Sequence, residues 1–359
     1  MHKTSEKNQP DLANEDSGRS SPYDRDAPDE ADLWFLPPDD DPPFDTGLAP
    51  LPRADRRDLF AVADWRQAQG DQSAELAGLA VRFGALDERL ATLGKGLRQR
   101  LALREATDLS WWSGGRIGGE RLALWVGSHL GGAGDDGQAL VQAGWAVRRL
   151  TSGHGLGKSS WHDEIPAFLG RSDPGTMLSK DDIEDIADVM EATRSLHPVT
   201  RAAVLFHAWR ITGQGPARDM EAAVMAACHG AGMGRGNAPF LPLSGAGALA
   251  LRTSGSTHVK LAAWIDGAHQ ATLSAYAQLD RLMDWQAKAN AAVSDLSGRT
   301  PRRLVDLLVA WPIVSAPMAE AQTDVSRAAI QRNLEIMKAR GLVREITGQA
   351  RYRVWMALA

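Results

Sequence analysis

Apolar residues recur at helical spacing through most of the chain. In "ELAGLAVRFGALDERLATL", Leu76, Leu79, Phe83, Leu86 and Leu90 fall on one face of a helix. "RQRLALREATDLSWW" predicts a second helix, interrupted by Gly114-Gly115 and Gly118-Gly119. "ERLALWVGSHL" and "GQALVQAGWAVRRL" predict two more. Residues 151–181 are rich in Gly, Ser and Pro and read as loop. Helices resume with "DDIEDIADVMEATR", "PVTRAAVLFHAWRI" and "RDMEAAVMAACHGAG", and a long one runs from about Val259 to Leu296. Few stretches before the C-terminal region alternate with a period of two, so the body is predicted to be all-α.

The last part of the chain has a different grammar. "PRRLVDLLVA" (Pro301 to Ala310) places Leu304, Leu307 and Leu308 on one side of a helix, and Trp311-Pro312 ends it. Ser315 is placed to cap a short helix over Ala316 to Gln322, and Thr323-Asp324 makes a turn. Ser326 can cap the next helix with its hydroxyl; Ile330, Leu334 and Met337 share its inner face, and Gly341 suits the left-handed position after it. Leu342 to Ile346 and Tyr352 to Met356 then alternate as two strands around Gly348-Gln349. Helix, short helix, turn, longer helix and hairpin is the order of a winged helix-turn-helix.

Charge sharpens this division. From Arg299 to Ala359 there are ten Lys or Arg and five Asp or Glu, a net of +5, although the whole chain stands at −5. A basic module on an acidic protein is the footprint of a nucleic-acid contact, so double-stranded DNA is the expected partner. Ser326, Arg327, Ala328, Gln331, Arg332, Glu335 and Lys338 lie on the outer face of the third helix or its flanks. Arg pairs with guanine edges and Gln with adenine edges, and Arg327 and Gln331 stand near the helix N-terminus, where side chains reach bases. Arg351 and Arg353 on the wing are set to meet phosphate. At the other end, Met1 to Phe60 holds seven Lys or Arg against fifteen Asp or Glu, a net of −8. Such a segment buries too little apolar surface to offset chain entropy. The expected organisation is a disordered acidic segment over 1–57, with one apolar patch, "LWFLPP", a helical body over 58–296 and the winged helix over 297–359.

Other chemistry is sparse. The single cysteine, Cys228, lies on an apolar helix face and reads as packing; it excludes a disulfide framework and suits a reducing cytoplasm. The nine histidines are scattered without HExxH or paired cysteines, so neither a metal site nor a cofactor is expected. No run is apolar enough to span a bilayer, and no signal peptide opens the chain. "SGHGLGKSS" resembles a phosphate loop, but Ser152 stands where GxxxxGK[ST] needs glycine and no buried strand precedes it, so it reads as a flexible loop.

Two resemblances add to this reading. The C-terminal stretch resembles the winged helix at the end of many bacterial Fic-domain proteins, which share the pattern "VSR…R.L..L...GLL.EITG..R.R.Y". Val325, Ser326, Arg327, Arg332, Leu334, Met337, Gly341, Leu342, Glu345-Ile346-Thr347-Gly348 and Arg353 fall on it without a gap. The body is similar, more diffusely, to the Fic helices. "REATDLSWWSGGRIGGERLAL" looks like the region that holds the Fic inhibitory glutamate, with Ser113 at that position and Gly114 and Glu120 matching its neighbours. "LHPVTRAAVLFHAW" resembles the helix that leads into the Fic catalytic loop, HPFxDGNGRxxR. In "HAWRITGQGPARDMEAA", His207, Gly213, Gln214 and Gly215 echo that loop one residue too long, Thr212 replaces its acid, and Pro216 stands where its Arg would be. His207, between Phe206 and Trp209, reads as a core histidine. The chain as a whole resembles a bacterial family built of degenerate Fic-like helices followed by a winged helix.

The resemblance implies an all-α protein: a Fic-like helical body with a C-terminal winged helix-turn-helix carrying a small β-hairpin. The function expected is that of a cytoplasmic, DNA-binding transcription regulator, a homodimer without membrane contact, whose catalytically inactive body dimerises or senses. The alternative is a divergent Fic-type nucleotidyltransferase acting on protein hydroxyls through His207 and the 213–218 loop.

Overall fold

The computed structural model describes residues 60–128, 136–153, 160–170, 178–213, 215–252, 254–347 and 353–359. The acidic segment with "LWFLPP", most of the phosphate-loop-like stretch, Gln214 and Arg351 lie outside the described residues. The body is helical throughout: α1 (Val62–Asp71), α2 (Ser73–Thr92), α3 (Lys95–Ser113), α4 (Gly119–Ser128), α5 (Gly137–Ser152), α6 (Trp161–Leu169), α7 (Lys180–Ala192), α8 (Pro198–Ile211), α9 (Pro216–Gly230), α10 (Gly245–Ala248) and α11 (Thr257–Ala292). The C-terminal region follows with α12 (Thr300–Ala310), β1 (Val314–Ser315), α13 (Ala316–Thr323), α14 (Arg327–Ala339), β2 (Val343–Glu345) and β3 (Val354–Ala357). Among the described residues no strand occurs before β1, as the missing two-residue period predicts.

α8 is the centre of the body. Apolar and small residues surround it, and nearly every position from Val199 to Trp209 is buried, as expected of a helix apolar on all sides. α9 packs against it, α3 and α5 pack on α9, and α11 packs on α8. Two buried carboxylates lock the glycine- and proline-rich stretch that follows α9. Asp87 of α2 accepts from the backbone N–H groups of Arg235 (2.8 Å), Asn237 (2.8 Å) and Ala238 (2.6 Å). Glu105 of α3 accepts from Leu243 N (2.8 Å) and Ser244 N (2.9 Å) and pairs with the Ser244 hydroxyl (2.7 Å). These loop donors would otherwise be buried without partners, so two acidic side chains stand in for a sheet neighbour.

α11 carries the fold from body to C-terminal region. It is 36 residues long, about 54 Å at the rise of an α-helix. Gly267 sits inside it because a Cβ there would lie 2.3 Å from the backbone nitrogen of Ala250. At its far end, the Trp285 indole N–H donates to Leu342 O (3.0 Å). Arg340 pairs there with Asp295 (2.6 and 2.8 Å) and donates to the Ala292 carbonyl. α12 lies on α3 and α11, where the methyl group of Ala310 fills the space left by Gly96.

Three details differ from the sequence reading. Residues 151–181 were expected as loop, yet they contain α6, which buries Trp161, Ile165, Phe168 and Leu169. Their helical spacing was masked by Pro166, which costs this nine-residue helix one hydrogen bond without unseating its apolar face. The wing is a three-stranded antiparallel sheet in the order β1-β3-β2 rather than a two-stranded ribbon. β1 is two residues long, too short for alternation to be visible. Ser326 stands at the N-cap of α14, but its hydroxyl makes no capping bond. Ser315 does cap α13, accepting from Met318 N at 3.3 Å.

Burial raises the Glu105 carboxyl from its ordinary value near 4.5 to about 7, against the pull of its loop donors. The folded chain therefore holds a proton that the unfolded chain has released. This favours the fold below about pH 4.5 and is lost as pH rises through about 7. Glu105→Gln keeps the acceptor and donor positions without the charge. The melting-temperature difference between Glu105→Gln and the parent should move in favour of the variant between pH 5 and pH 7; a difference that stays constant would mean Glu105 does not titrate in this window.

Candidate nucleic-acid interface

The geometry of the C-terminal region follows from one apolar seam. Leu304 and Leu308 of α12, Met318 and Ala319 of α13, and Ile330, Leu334 and Met337 of α14 are almost fully buried, with Val314 and Trp355 beneath them. Ile330, Leu334 and Met337 are one helical turn apart in turn, so burying them fixes the rotation of α14 about its axis. The turn between α13 and α14 uses Asp324 in the left-handed conformation (φ 53°), a position Asp tolerates better than most residues. α14 ends at Gly341 (φ 69°), with Leu342 N donating to Met337 O (2.9 Å) and Gly341 N to Lys338 O (3.0 Å). That paired closure delivers Leu342 to Trp285 of α11 and starts β2 in its register.

With the inner face fixed, the outer face is determined. Ser326, Arg327, Ala328, Gln331, Arg332, Glu335 and Lys338 are all exposed. The hydroxyl of Ser326 is uncommitted to the helix, and the first amides of α14 have no intrahelical acceptor. With the positive end of the helix dipole, they form a place where a phosphate oxygen is favoured.

The cations of this face are mostly engaged. Arg327 bonds Glu320 of α13 through two nitrogens (3.0 and 3.2 Å). Lys338 pairs with Glu345 of β2 (3.0 Å). Arg353 bonds Glu345 (2.6 and 2.8 Å) and Glu335, and its guanidinium lies over the Trp355 ring at 5.0 Å. Arg353 and then Lys338 hold the Glu345 carboxyl down at about 2, so this cluster keeps its charges at neutral pH. Arg332 is exposed, with no hydrogen bond or ion pair among the described residues. Of the site residues read from sequence, the structure thus gathers Ser326, Arg327, Ala328, Gln331, Arg332 and Lys338 on one surface. It places Arg353 between the wing and α14, facing two carboxylates, and Arg351 lies outside the described residues. Glu335 was read from sequence on this face, but Glu320 and Glu345 were not read as part of the surface. Neither were Arg302, exposed at the start of α12, and Arg344, exposed on β2. Residue type and strand parity could have found Arg344; the ion pairs of the glutamates become visible only when the elements are docked.

The other candidate site lies on α8 and the turn after it. His207 is buried, with its ring against Phe206 (5.2 Å, edge-on) and Trp65 (6.2 Å). Burial first, then Lys260 and Arg210, lowers its pKa to about 3, so the imidazole is neutral at pH 7. Thr212 spends its hydroxyl on Trp209 O (2.7 Å), and Arg210 is paired with Asp219 (2.8 Å). Cys228 is buried, and its thiol is pushed up to about 12 by burial, which makes it a poor nucleophile.

A family model described as an HTH DNA binding domain matches residues 301–358. No curated protein matches the chain. The match begins with α12 and ends within a residue of β3, so it covers the elements assembled above. Residues 301–358 are a helix-turn-helix DNA-binding region with a small antiparallel sheet of winged-helix type. Among the described residues no helix is long and apolar enough to cross a membrane.

Leu334→Ala should cost about 3 kcal/mol, since Leu334 is fully buried and the seam can only partly collapse. Urea unfolding would register the loss as a lower midpoint. An unchanged midpoint would show that this seam does not hold α14 in place.

Proposed function

We propose that the protein is a sequence-reading DNA-binding protein that acts as a transcription regulator, with α14 in the major groove. The observation that carries the reading is the outer face of α14. It presents Ser326, Arg327, Ala328, Gln331, Arg332 and Lys338 on a helix whose other side is core, within the region that matches a DNA-binding model. Gln331 and Arg332 supply base-edge donors, and the start of α14 supplies a phosphate contact. The winged helix forms a half-site reader, and two copies would read two half-sites about one helical turn of DNA apart, which is why the proposal includes a homodimer. The Fic-like helical body would serve dimerisation or sensing. The docking of Leu342 and Arg340 on α11 supports a body that sets where the reader sits.

The competing reading is Fic-type transfer of a nucleotide to a protein hydroxyl through His207. A general base must carry the proton it takes, and an imidazole whose pKa lies near 3 is a weak base in a buried, cation-flanked position. Pro216, at the first position of α9, brings neither a guanidinium nor a backbone N–H to a phosphate. Incubation with labelled ATP and candidate proteins is expected to leave no label on any of them. Label that appears and is lost in His207→Ala would revive the transferase.

DNA selected from a random pool by the purified chain supplies the test of the main reading. On the selected site, Gln331→Ala should cost about 1–3 kcal/mol and little on random duplex. Arg302→Ala should weaken both duplexes alike and lower the salt slope by about one. Selection that recovers no common sequence would refute sequence reading by α14.

A further inference from the structure

The DNA-facing side of the winged helix carries its own counter-charges. Among Arg327, Arg332, Lys338 and Arg353, three are held in ion pairs by Glu320, Glu335 and Glu345. Two of these glutamates are well exposed. Glu320 is 43 % exposed and touches Arg327 across the α13–α14 turn. Glu335 is 46 % exposed and projects from the reading face of α14, in the same row as Ala328, Gln331 and Arg332. Glu345 is different: only 14 % exposed, it is bonded by both Lys338 and Arg353 and ties α14 to the sheet.

A carboxylate in the middle of a surface meant for a polyanion is a cost unless it does something. A free guanidinium binds any phosphate, and that sequence-independent term dominates non-specific affinity. A guanidinium already held by a carboxylate must exchange one anion for another, so a random phosphate gains little. On a matching site the exchange is offset by base-edge contacts that random DNA does not offer. Exposed pairs are weak enough to be opened in this way.

Resting on the proposal that α14 reads DNA, we infer that Glu320 and Glu335 are specificity-determining residues. Glu320 holds Arg327 away from random phosphate and releases it on the correct site, and Glu335, which shares Arg353 with Glu345, sets a carboxylate on the reading face against random phosphate. Arg332, which has no described partner, then makes the first contact. The function of these glutamates is discrimination rather than affinity.

The test uses the full chain, the selected duplex and a random duplex of equal length, titrated from low to moderate salt. Glu320→Gln/Glu335→Gln removes both charges and keeps side-chain volume. It is expected to bind the random duplex about five- to twentyfold tighter than the parent at low salt, and with a salt slope steeper by about one, since Arg353 stays on Glu345. Affinity for the selected duplex should change less, so the ratio between the two duplexes falls. Glu345→Gln serves as the structural counterpart and should lower the melting temperature. If the double variant matches the parent in random-duplex affinity and slope, the inference is overturned. If it binds both duplexes more weakly and Glu335→Asp restores binding, Glu335 is a strut for the wing and the inference is again overturned. If the parent binds no duplex at all, the DNA reading fails and takes this inference with it.

Discussion

The burial of Ile330, Leu334 and Met337 is the constraint on which the C-terminal region depends. All three lie at zero exposure in the seam with Leu304, Leu308 and Trp355. A helix with three buried positions one turn apart has no freedom to rotate. Every polar residue of α14 is assigned a direction by that one condition. Ser326, Gln331, Arg332 and Glu335 face outward because the apolar residues face in, with Glu335 reaching Arg353 at the edge of that face and Lys338 reaching Glu345 of β2. The closure at Gly341 extends the same constraint, since it passes Leu342 to the Trp285 indole and so joins the reader to the body.

That junction gives the body a mechanical claim on the reader. α11 begins among the body helices and ends against Leu342 and Arg340, so one rigid element touches both. Asp87 and Glu105 stabilise the stretch that leads into α10 and the start of α11. The two carboxylates stay buried because each satisfies loop amides that nothing else reaches, and losing either would leave several buried donors unpaired. The same chemistry, a glutamate or aspartate closing on donors from another element, recurs at the surface in Glu320, Glu335 and Glu345. The difference is solvent: inside it fixes the fold, and outside it makes contacts that another anion can exchange.

Much of this was legible in the sequence where a period repeats. α2, α8, α11 and α14 announce themselves through apolar spacing, and the helix, short helix, turn, longer helix order of residues 301–358 follows from Trp311-Pro312, Ser315 and Gly341. Elements too short to show a period were not legible: β1 is two residues, and α6 carries a proline inside a loop-like composition. The outer face of α14 was readable by subtraction from its core. Its charge state was not, because Arg353 meets Glu335 across 18 residues and Arg327 meets Glu320 across a turn. Counting charges from Arg299 to Ala359 gives +5, but the count takes no account of which of those charges are already paired.

Pairing changes what net charge means for a DNA reader. An unpaired basic surface gains attraction everywhere and discrimination nowhere, since phosphates are the same along the whole duplex. A surface whose cations rest on carboxylates presents a weaker field at a distance, and it yields them only where something replaces the lost ion pairs. With α14 in the groove as proposed, base edges within reach of Gln331 and Arg332 would be such a replacement, and they differ from step to step. Affinity would then rise with the match rather than with the length of DNA in contact. On the proposed reading, the pair between Arg327 and Glu320 would therefore be as much a part of recognition as the residues that face the groove.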